Sequence, residues 1–405
     1  MGGRTVLVAG AGAAGLMAAI TAGSRGDRVI VLETTADGGR KILISGGGRC
    51  NVLPRALEPD RFVSDSPRPL VRRLLRSWPL EGQRAFFEQD LGIPLKLEPE
   101  AGKYFPVSNR ARDIRDRLLA HADRAGVQFR FNTRLTDLTR QGAGWLAHTT
   151  SGPIETDAVI VATGGRSVPA TGSDGAGFDL AAKLGHTIHP TYPALTPLVC
   201  DPAPHAALSG ISLDVRVRGK WQDQVTESHG GFLFTHHGYS GPSVLDVSHV
   251  AVRSAMDGDS ARASIRVRWI DVDAAEWTTT FAEAGGLVLT AVSRRLPGRL
   301  AERLLVESKI PLDRRASSLT RVERLALIDR LTSYELPWTG HEGYKKAEVT
   351  GGGIALDEVD SRTLESKIAP GVFFCGEILD AFGPIGGHNF AWAWATGRAA
   401  GRGRA

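Results

Sequence analysis

The chain has 405 residues, of which 42% are hydrophobic and 23% are charged. This composition is typical of a globular protein, and the length predicts two or three domains. The formal net charge of +5 is mild, and the arginines are not grouped with aromatic residues. We therefore expect no nucleic-acid partner.

The cysteines and the apolar segments argue against further classes of protein. Cys50, Cys200 and Cys375 are far apart and form no CxxC pair, which argues against a disulfide framework and against a metal site. No apolar run approaches the ~20 residues that a membrane span needs, and no secretory signal precedes the first predicted strand. We expect a cytoplasmic protein without a metal ion.

An apolar run at residues 5–9 ends in a glycine motif that indicates a dinucleotide site. The run predicts a strand buried on both faces, and the sequence GAGAAG at 10–15 separates it from a helix-like segment. A second apolar run, 29–32, ends in Glu33, where an acid accepts hydrogen bonds from the adenosine ribose and disfavours a 2′-phosphate. The cofactor contacts expected here are Gly10, Gly12, Ala13, Ala14, Gly15 and Glu33.

Two later strands favour FAD over NAD. Residues 157–162 form a predicted strand that ends in Thr163-Gly164, and residues 371–375 form another that ends in Gly376-Glu377. In flavoproteins with two dinucleotide-binding domains, the first of these strand ends lies beside the cofactor, and an acid at the second binds ribityl hydroxyls. We therefore expect Thr163, Gly164, Gly376 and Glu377 to contact FAD.

Several segments resemble the flavoprotein family that includes BaiN-like oxidoreductases and aminoacetone oxidase. These segments are 10–15, 41–51, 104–108, 162–165, 234–242 and 376–380, and SGGGRCN at 45–51 is the most specific. The resemblance implies an α/β fold. A Rossmann-type FAD-binding domain of the two-dinucleotide-binding type would carry an inserted antiparallel β domain and a small helical domain.

The resemblance also implies that the loop 41–51 lies beside the pyrophosphate and the isoalloxazine ring. The residues by themselves also suit a surface loop with solvated cations. We interpret Cys50 as a small packing residue near the flavin, because no second cysteine lies close enough in the sequence to form a redox pair. The contacts expected from this part of the chain are Arg40, Lys41, Ser45, Gly46, Gly47, Arg49, Cys50 and Asn51, together with Leu135 further on.

Two histidines are candidate catalytic residues. His388 follows Gly386-Gly387 at the start of the predicted closing helix, at a position where the family usually has Tyr before Asn389. A catalytic role and a role as a helix cap or packing residue both stay open for His388. His236 lies in a Gly/Ser/Pro-rich turn, where a proton donor, a substrate contact and a structural turn residue are the alternatives. We expect Gly386, Gly387, His388 and Asn389 to line the flavin.

The predicted FAD-binding domain is discontinuous and comprises residues 1–190 and 345–405. Alternating segments predict a β-rich domain at 191–274, and helical spacing of apolar residues predicts a helical domain at 275–344.

These features predict an FAD-dependent oxidoreductase that moves a hydride or an electron pair between a small organic substrate and non-covalently bound FAD. No second Rossmann domain is visible, so NAD(P)H would dock transiently as a reductant, or oxygen would accept the electrons. A flavin-dependent RNA-modifying or RNA-binding protein and a non-enzymatic flavin-binding regulator are the alternatives. The sequence does not indicate the substrate or the oligomeric state.

Overall fold

The structure is a computed structural model that describes residues 3–258 and 262–403. The chain divides into two units. Unit 1 comprises Met1–Pro193 and Glu348–Ala405, and unit 2 comprises Ala194–Ala347.

The elements are numbered in chain order. The first part of unit 1 contains β1 (Thr5–Ala9), α1 (Ala13–Gly23), β2 (Arg28–Leu32), α2 (Arg40–Ile44), β3 (Leu53–Pro54), α3 (Arg68–Arg76), α4 (Leu80–Ala85), β4 (Leu95–Glu98), β5 (Lys103–Pro106), α5 (Ala111–Arg124), β6 (Gln128–Arg130), β7 (Leu135–Gln141), β8 (Gly144–Thr149), β9 (Ile154–Thr156), β10 (Ala158–Val161), α6 (Ala176–Lys183) and β11 (Ile188–Ala194). Unit 2 contains β12 (Leu198–Val199), β13 (Ser212–Trp221), β14 (Gln224–Phe234), β15 (Gly238–Ser240), α7 (Pro242–Met256), β16 (Ser264–Arg268), α8 (Ala274–Glu283), α9 (Val288–Ser293), α10 (Gly298–Glu307), α11 (Arg321–Thr332), β17 (Tyr334–Glu335) and β18 (Gly340–His341). The chain returns to unit 1 with β19 (Val349–Ile354), β20 (Val372–Phe374) and α12 (His388–Arg402).

A five-stranded parallel sheet forms the centre of unit 1, with the strand order β20-β10-β1-β2-β6. Its middle strand, β1, carries Val6, Leu7 and Val8, each at most 3% exposed. Apolar side chains therefore point to both faces of the strand, as a parallel sheet covered on both sides requires. This sheet, with the helix that follows its middle strand, confirms the predicted Rossmann-type fold.

Three smaller sheets complete unit 1. They are β3-β5-β4, β7-β8-β9 and the pair β11-β19. The β7-β8-β9 sheet is the antiparallel meander that alternation in the sequence predicts between residues 133 and 156.

Unit 2 is built on a seven-stranded antiparallel sheet, with the order β17-β16-β13-β14-β15-β12-β18. Along β13, Val215 and Val217 are buried, whereas Arg216 and Arg218 are exposed. The buried face shares one hydrophobic core with α8, α9, α10 and α11. The predicted domain boundary at residue 274 coincides with the start of α8, and the helices from there on cover one face of the antiparallel sheet.

Within residues 3–258 and 262–403, no helix combines the length and the apolar character that crossing a membrane requires.

A partly buried ionic network lies in unit 2 around Glu307. Its carboxylate accepts hydrogen bonds from Tyr334 (2.8 Å), Arg303 (2.6 Å) and Arg330 (3.3 Å), and it lies 3.0 Å from Nε2 of His205. Burial opposes ionisation of Glu307, but the hydrogen bonds outweigh it and lower its pKa to about 2. The ionised carboxylate therefore stabilises the folded unit.

We expect Glu307→Gln to lower the free energy of unfolding by about 3 kcal/mol at neutral pH, because the substitution leaves buried donors without a charged acceptor. The pKa of Glu307 is lower in the folded state than its ordinary value of 4.5, so its stabilisation is present above pH 4.5 and disappears as the pH falls towards 2. Chemical unfolding between pH 2.5 and 8 measures both effects, with the exposed Glu302→Gln on the same helix as control. Equal stability of the two variants would contradict the assignment.

Candidate active site

In the turn from β1 into α1, two glycines have no room for a side chain, whereas a third has open space beside it. A Cβ on Gly10, whose φ is +107°, would lie 2.4 Å from the carbonyl oxygen of Ala162. A Cβ on Gly15 would lie 1.9 Å from the carbonyl oxygen of Gly10, so α1 packs directly on the turn. No atom lies within 4 Å of the Cβ position of Gly12, which precedes the first residue of α1. Open space therefore adjoins the start of α1, where free N–H groups bind anions.

Glu33 lies at the end of β2, beside this turn. One carboxylate oxygen accepts a hydrogen bond from the backbone N–H of Ala11 (2.9 Å), and the other accepts from the N–H and the hydroxyl of Thr35 (2.8 and 2.7 Å). The side chain of Glu33 is thus held in one place next to the turn, as an acid that binds a ribose requires.

A polar network joins three segments that are distant in the sequence. Lys41 Nζ donates hydrogen bonds to Glu377 (2.6 Å) and to the hydroxyl of Ser167 (2.5 Å). Ser167 in turn donates to Glu377 (2.5 Å), which also accepts from the backbone N–H of Thr350 (3.0 Å). The sequence predicts Lys41 and Glu377 as cofactor contacts, whereas Ser167 and Thr350 belong to no motif and join the network only through the fold.

Helices α1 and α12 pack closely and run in the same direction. A Cβ on Gly397 would lie 2.3 Å from the carbonyl oxygen of Ala14, and one on Gly401 would lie 2.4 Å from that of Ala18. Because the contacts advance together along both helices, their N-termini point the same way. His388, the first residue of α12, precedes Gly397 by nine residues, so α12 begins about 14 Å before this contact. The N-termini of α1 and α12, each with a partial positive charge, therefore point in the same direction, one behind the other.

The start of α12 holds the histidine that the sequence singles out. Gly386 and Gly387 have φ values of +118° and +95°, which favour glycine. His388 is only 6% exposed, and neither of its ring nitrogens makes a hydrogen bond of good geometry, although the nearby backbone of Ala56 and Ile385 acts to raise its pKa against the effect of burial. Burial lowers the pKa of His388 to about 4, so the ring is neutral at pH 7. The Asn389 amide makes two hydrogen bonds with the backbone of Gly383 (2.8 and 2.9 Å), so it closes the preceding turn.

The two arginines among the predicted cofactor contacts, Arg40 and Arg49, each have a carboxylate partner. Arg49 makes two hydrogen bonds to Glu98 (2.8 and 3.3 Å), and its guanidinium lies 4.0 Å from the ring centre of Phe105. Arg40 donates to Asp37 (2.5 Å). The ammonium of Lys41, in contrast, donates a hydrogen bond to Glu377.

The loop that follows α2 has an unusual backbone. Gly46 and Gly47 have φ values of +56° and +65°, and a Cβ on Gly46 would lie 2.3 Å from Oδ1 of Asn51. Ser45 donates a hydrogen bond back to the carbonyl oxygen of Ile42 (2.8 Å). Cys50 also has a positive φ (63°) and is completely buried, and burial raises its pKa to about 12. Its thiol is therefore protonated at physiological pH.

The remaining predicted residues fall into two groups, some at the ends of the parallel strands and others away from them. Thr163 and Gly164 follow β10, and the buried Thr163 hydroxyl has no partner. Leu135 begins β7 and is half-buried opposite Thr149. His236 lies in unit 2, in the turn between β14 and β15, with an exposed side chain. Of the predicted contacts, the structure gathers at the carboxyl ends of β1, β2, β10 and β20 the residues Gly10, Gly12, Ala13, Ala14, Gly15, Glu33, Thr163, Gly164, Gly376 and Glu377.

These features fit FAD. The open space at Gly12 and the start of α1 suit a pyrophosphate, and Glu33 suits the adenosine ribose. The start of α12 lies about 14 Å further along, a length that a ribityl chain and part of a flavin ring can span.

The part of the chain that the structure describes contains no cluster of three or more His, Cys, Asp or Glu side chains able to hold a metal ion.

Comparison with known proteins agrees with this site. The HI0933-like protein Rossmann domain matches residues 4–403. The chain is 30% identical over 400 residues to the ribosomal RNA dihydrouridine synthase of Escherichia coli (strain K12), which covers 96% of this chain and 95% of that protein. It is 31% identical over 404 residues to the 3-dehydro-bile acid delta(4,6)-reductase of Clostridium scindens, covering 98% and 97%. The open conformation of a flavocytochrome c3 fumarate reductase superposes with a TM-score of 0.50 at 17% identity, covering 98% of this chain and 77% of that one, which shows a common fold.

The fold and the site define an FAD-dependent oxidoreductase of the Rossmann type. Within that class, the chain belongs to the HI0933-like protein Rossmann domain family, which it matches over nearly its whole length. The resemblance to BaiN-like flavoproteins inferred from the sequence is thereby confirmed.

We expect Gly12→Ala to fold normally but to raise the Kd for FAD at least tenfold, about 1.4 kcal/mol. The added methyl group meets no protein atom and the φ of −78° suits alanine, so it only fills the space next to the helix start. Gly15→Ala should instead lower stability by about 2 kcal/mol, because its Cβ would collide with backbone. FAD titration and thermal unfolding separate the two effects, with Gly298→Ala, also in open space, as control. An unchanged Kd in Gly12→Ala would argue against a pyrophosphate at this turn.

The cysteines should be unreactive in the folded protein. Cys50, Cys200 and Cys375 are all buried, and burial raises the pKa of each thiol. At pH 8 we expect an aromatic disulfide reagent to react at least about 100-fold more slowly with the native protein than with protein unfolded in guanidinium. A native thiol that reacts as fast as the unfolded chain would reopen a redox role for Cys50.

Proposed function

We propose that this protein reduces a carbon–carbon double bond conjugated to a carbonyl group, with the electrons passing through bound FAD. The observation that carries the proposal is the chemistry shared by two relatives that align over nearly their whole length. Dihydrouridine is uridine whose ring double bond, conjugated to a carbonyl, has been reduced. The name of the bile-acid reductase likewise describes double bonds conjugated to a 3-oxo group. The two substrates differ, whereas the reacting group is the same.

We assign the cofactor contacts from the geometry of unit 1. The start of α1, next to Gly12, would hold the pyrophosphate, and Glu33 would accept hydrogen bonds from the adenosine ribose. Glu377 and Lys41, which lie in one hydrogen-bonded network, would bind the ribityl hydroxyls. The turn Gly386-Gly387 at the start of α12 would face the pyrimidine edge of the flavin ring. Bound there, FAD in its reduced form would supply the hydride, and solvent would supply the proton that completes the saturated product.

The protein side of the reaction is to bind the substrate carbonyl and to stabilise the negative charge that develops on its oxygen. His388 suits this role, because its ring is neutral and buried, and neither ring nitrogen makes a hydrogen bond of good geometry. Its N–H would donate to the substrate oxygen while the ring keeps its proton. We also propose NAD(P)H as a transiently docking reductant, since unit 2 consists of an antiparallel sheet with helices in its described residues.

The test is an anaerobic half-reaction. Protein reduced with one equivalent of NADPH, NADH or dithionite is mixed with cyclic enones, a 3-oxo steroid with double bonds at positions 4 and 6, or a uridine-containing RNA. We expect an enone to restore the absorbance of oxidised flavin and to gain two hydrogen atoms, as measured by mass spectrometry. The matching saturated ketones serve as controls. If no conjugated substrate reoxidises the flavin, while an amine reduces the oxidised protein, the enzyme is an amine oxidase and the proposal fails.

A second candidate is that the conjugated double bond belongs to uracil in RNA. Besides the name of the relative from Escherichia coli, the exposed side of α3 favours it, because Arg68, Arg72 and Arg76 recur there every four residues and Arg73 lies beside them. Like charges at this spacing destabilise a helix, and a phosphate backbone would offset the repulsion. One of the four, Arg72, is paired with Asp60.

We expect an RNA substrate to bind with a steep salt dependence that the paired substitution Arg68→Gln and Arg76→Gln reduces. Reduction of small enones should be unchanged in that variant. The matched control is Arg321→Gln and Arg324→Gln, on α11 of unit 2. Equal RNA binding by both double variants would remove the support that α3 provides.

A further inference from the structure

Lys103 reaches the turn at the start of α12 from a different sheet. It begins β5, and in the β3-β5 pairing it lies opposite Pro54. A Cβ on Gly386 would lie 3.1 Å from Cε of Lys103 and 3.6 Å from its Cγ, so the aliphatic stem of Lys103 runs along this glycine. A Cβ on Gly387 would lie 2.6 Å from the carbonyl carbon of Leu53. The turn is therefore packed against β3 and β5, and Lys103 is part of its surroundings.

The positive charge of Lys103 also acts at the start of α12. Burial is the main cause of the low pKa of His388, and the charges of Arg61 and, to a smaller extent, Lys103 lower it further. The ammonium therefore lies within electrostatic reach of the first residue of α12. Since His388 is neutral at pH 7, it provides no positive charge at this helix end. Lys41 belongs to the Glu377 network instead, where its ammonium donates a hydrogen bond at 2.6 Å.

A ligand at this helix end is indicated by more than the helix itself. His388 is 94% buried, and both of its ring nitrogens lack a hydrogen bond of good geometry, which is costly unless another group binds there. The flavin pyrimidine edge carries negative charge when the cofactor is reduced, so a cation beside it stabilises the reduced form more than the oxidised form.

We propose that Lys103, together with the N-terminus of α12, stabilises the negative charge on the pyrimidine edge of reduced FAD and so raises the reduction potential of the cofactor. The inference rests on the placement of the ring at Gly386-Gly387 given under the proposed function, but not on the identity of the substrate. It assigns to Lys103 a role that neither the glycine motifs nor the segment 104–108 of the family resemblance indicates.

The test compares reduction potentials of FAD bound to the wild-type protein and to Lys103→Met, Lys103→Arg and Lys96→Met, measured by equilibration with a redox dye. Lys96 is the matched control, because it lies on the adjacent strand β4 of the same sheet and its ammonium is near Glu98. We expect Lys103→Met to weaken the binding of reduced relative to oxidised FAD at least tenfold. For a two-electron couple this lowers the potential by about 30 mV. Lys103→Arg, which keeps the charge, and Lys96→Met should stay close to wild type.

A second measurement uses sulfite, which adds reversibly to oxidised flavin and bleaches it when positive charge lies near the pyrimidine edge. The Kd for sulfite should rise at least tenfold in Lys103→Met and change little in the other two variants. An unchanged potential and sulfite affinity in Lys103→Met would overturn the proposal, as would equal shifts in Lys96→Met. A Lys103→Met protein that cannot be saturated with oxidised FAD would also overturn it, by assigning Lys103 to holding the cofactor. None of these readouts uses an enone, so the reductase proposal can fail while this one stands.

Discussion

The close packing of α1 on α12 is the constraint on which the site in unit 1 depends. Gly397 and Gly401 bring the backbone of α12 against Ala14 and Ala18, with no room for a side chain between the helices. Because the two helices run in the same direction with an offset, their N-termini form two separate positive ends on one side of the unit. A larger residue at either glycine would separate the helices and change the spacing between the pyrophosphate end and the ring end of the cofactor site.

Between these two helix ends, opposite charges on the protein are paired. Lys41 and Glu377 neutralise each other within a hydrogen-bonded network, so this middle part is polar but not strongly charged, which suits hydroxyl groups. At the far end His388 is neutral because it is buried. The helix dipole, with Lys103 as proposed, would then provide a positive field where the flavin ring would lie. Conjugate reduction moves negative charge from the reduced cofactor to the substrate oxygen, so a positive field near both groups would stabilise each of them in turn.

Unit 2 is stabilised by a different kind of packing. Its antiparallel sheet has one exposed face and one face that the helices α8 to α11 cover, and a partly buried ionic network around Glu307 connects α10 with β17. The sequence shows alternation and then helical spacing, which led to two predicted domains. Alternation of apolar and polar residues in a strand indicates that one face of the sheet is buried, but it does not indicate which element covers that face. The single core of unit 2 is therefore evident only from the packing of the helices on the sheet.

The sequence by itself determined the parallel strands, the glycine turn at 10–15 and Glu33, because strand burial, backbone conformation and the position of a strand end are local properties that a short motif encodes. It also indicated Lys41 and Glu377, through segments that resemble a known family. Only the tertiary structure decided that these two residues pair, that Ser167 and Thr350 join them, that Arg49 is engaged by Glu98, and that Lys103 lies along Gly386. Such contacts join segments far apart in the chain, and no local pattern of residues specifies which distant partner a charged side chain will meet when the chain folds.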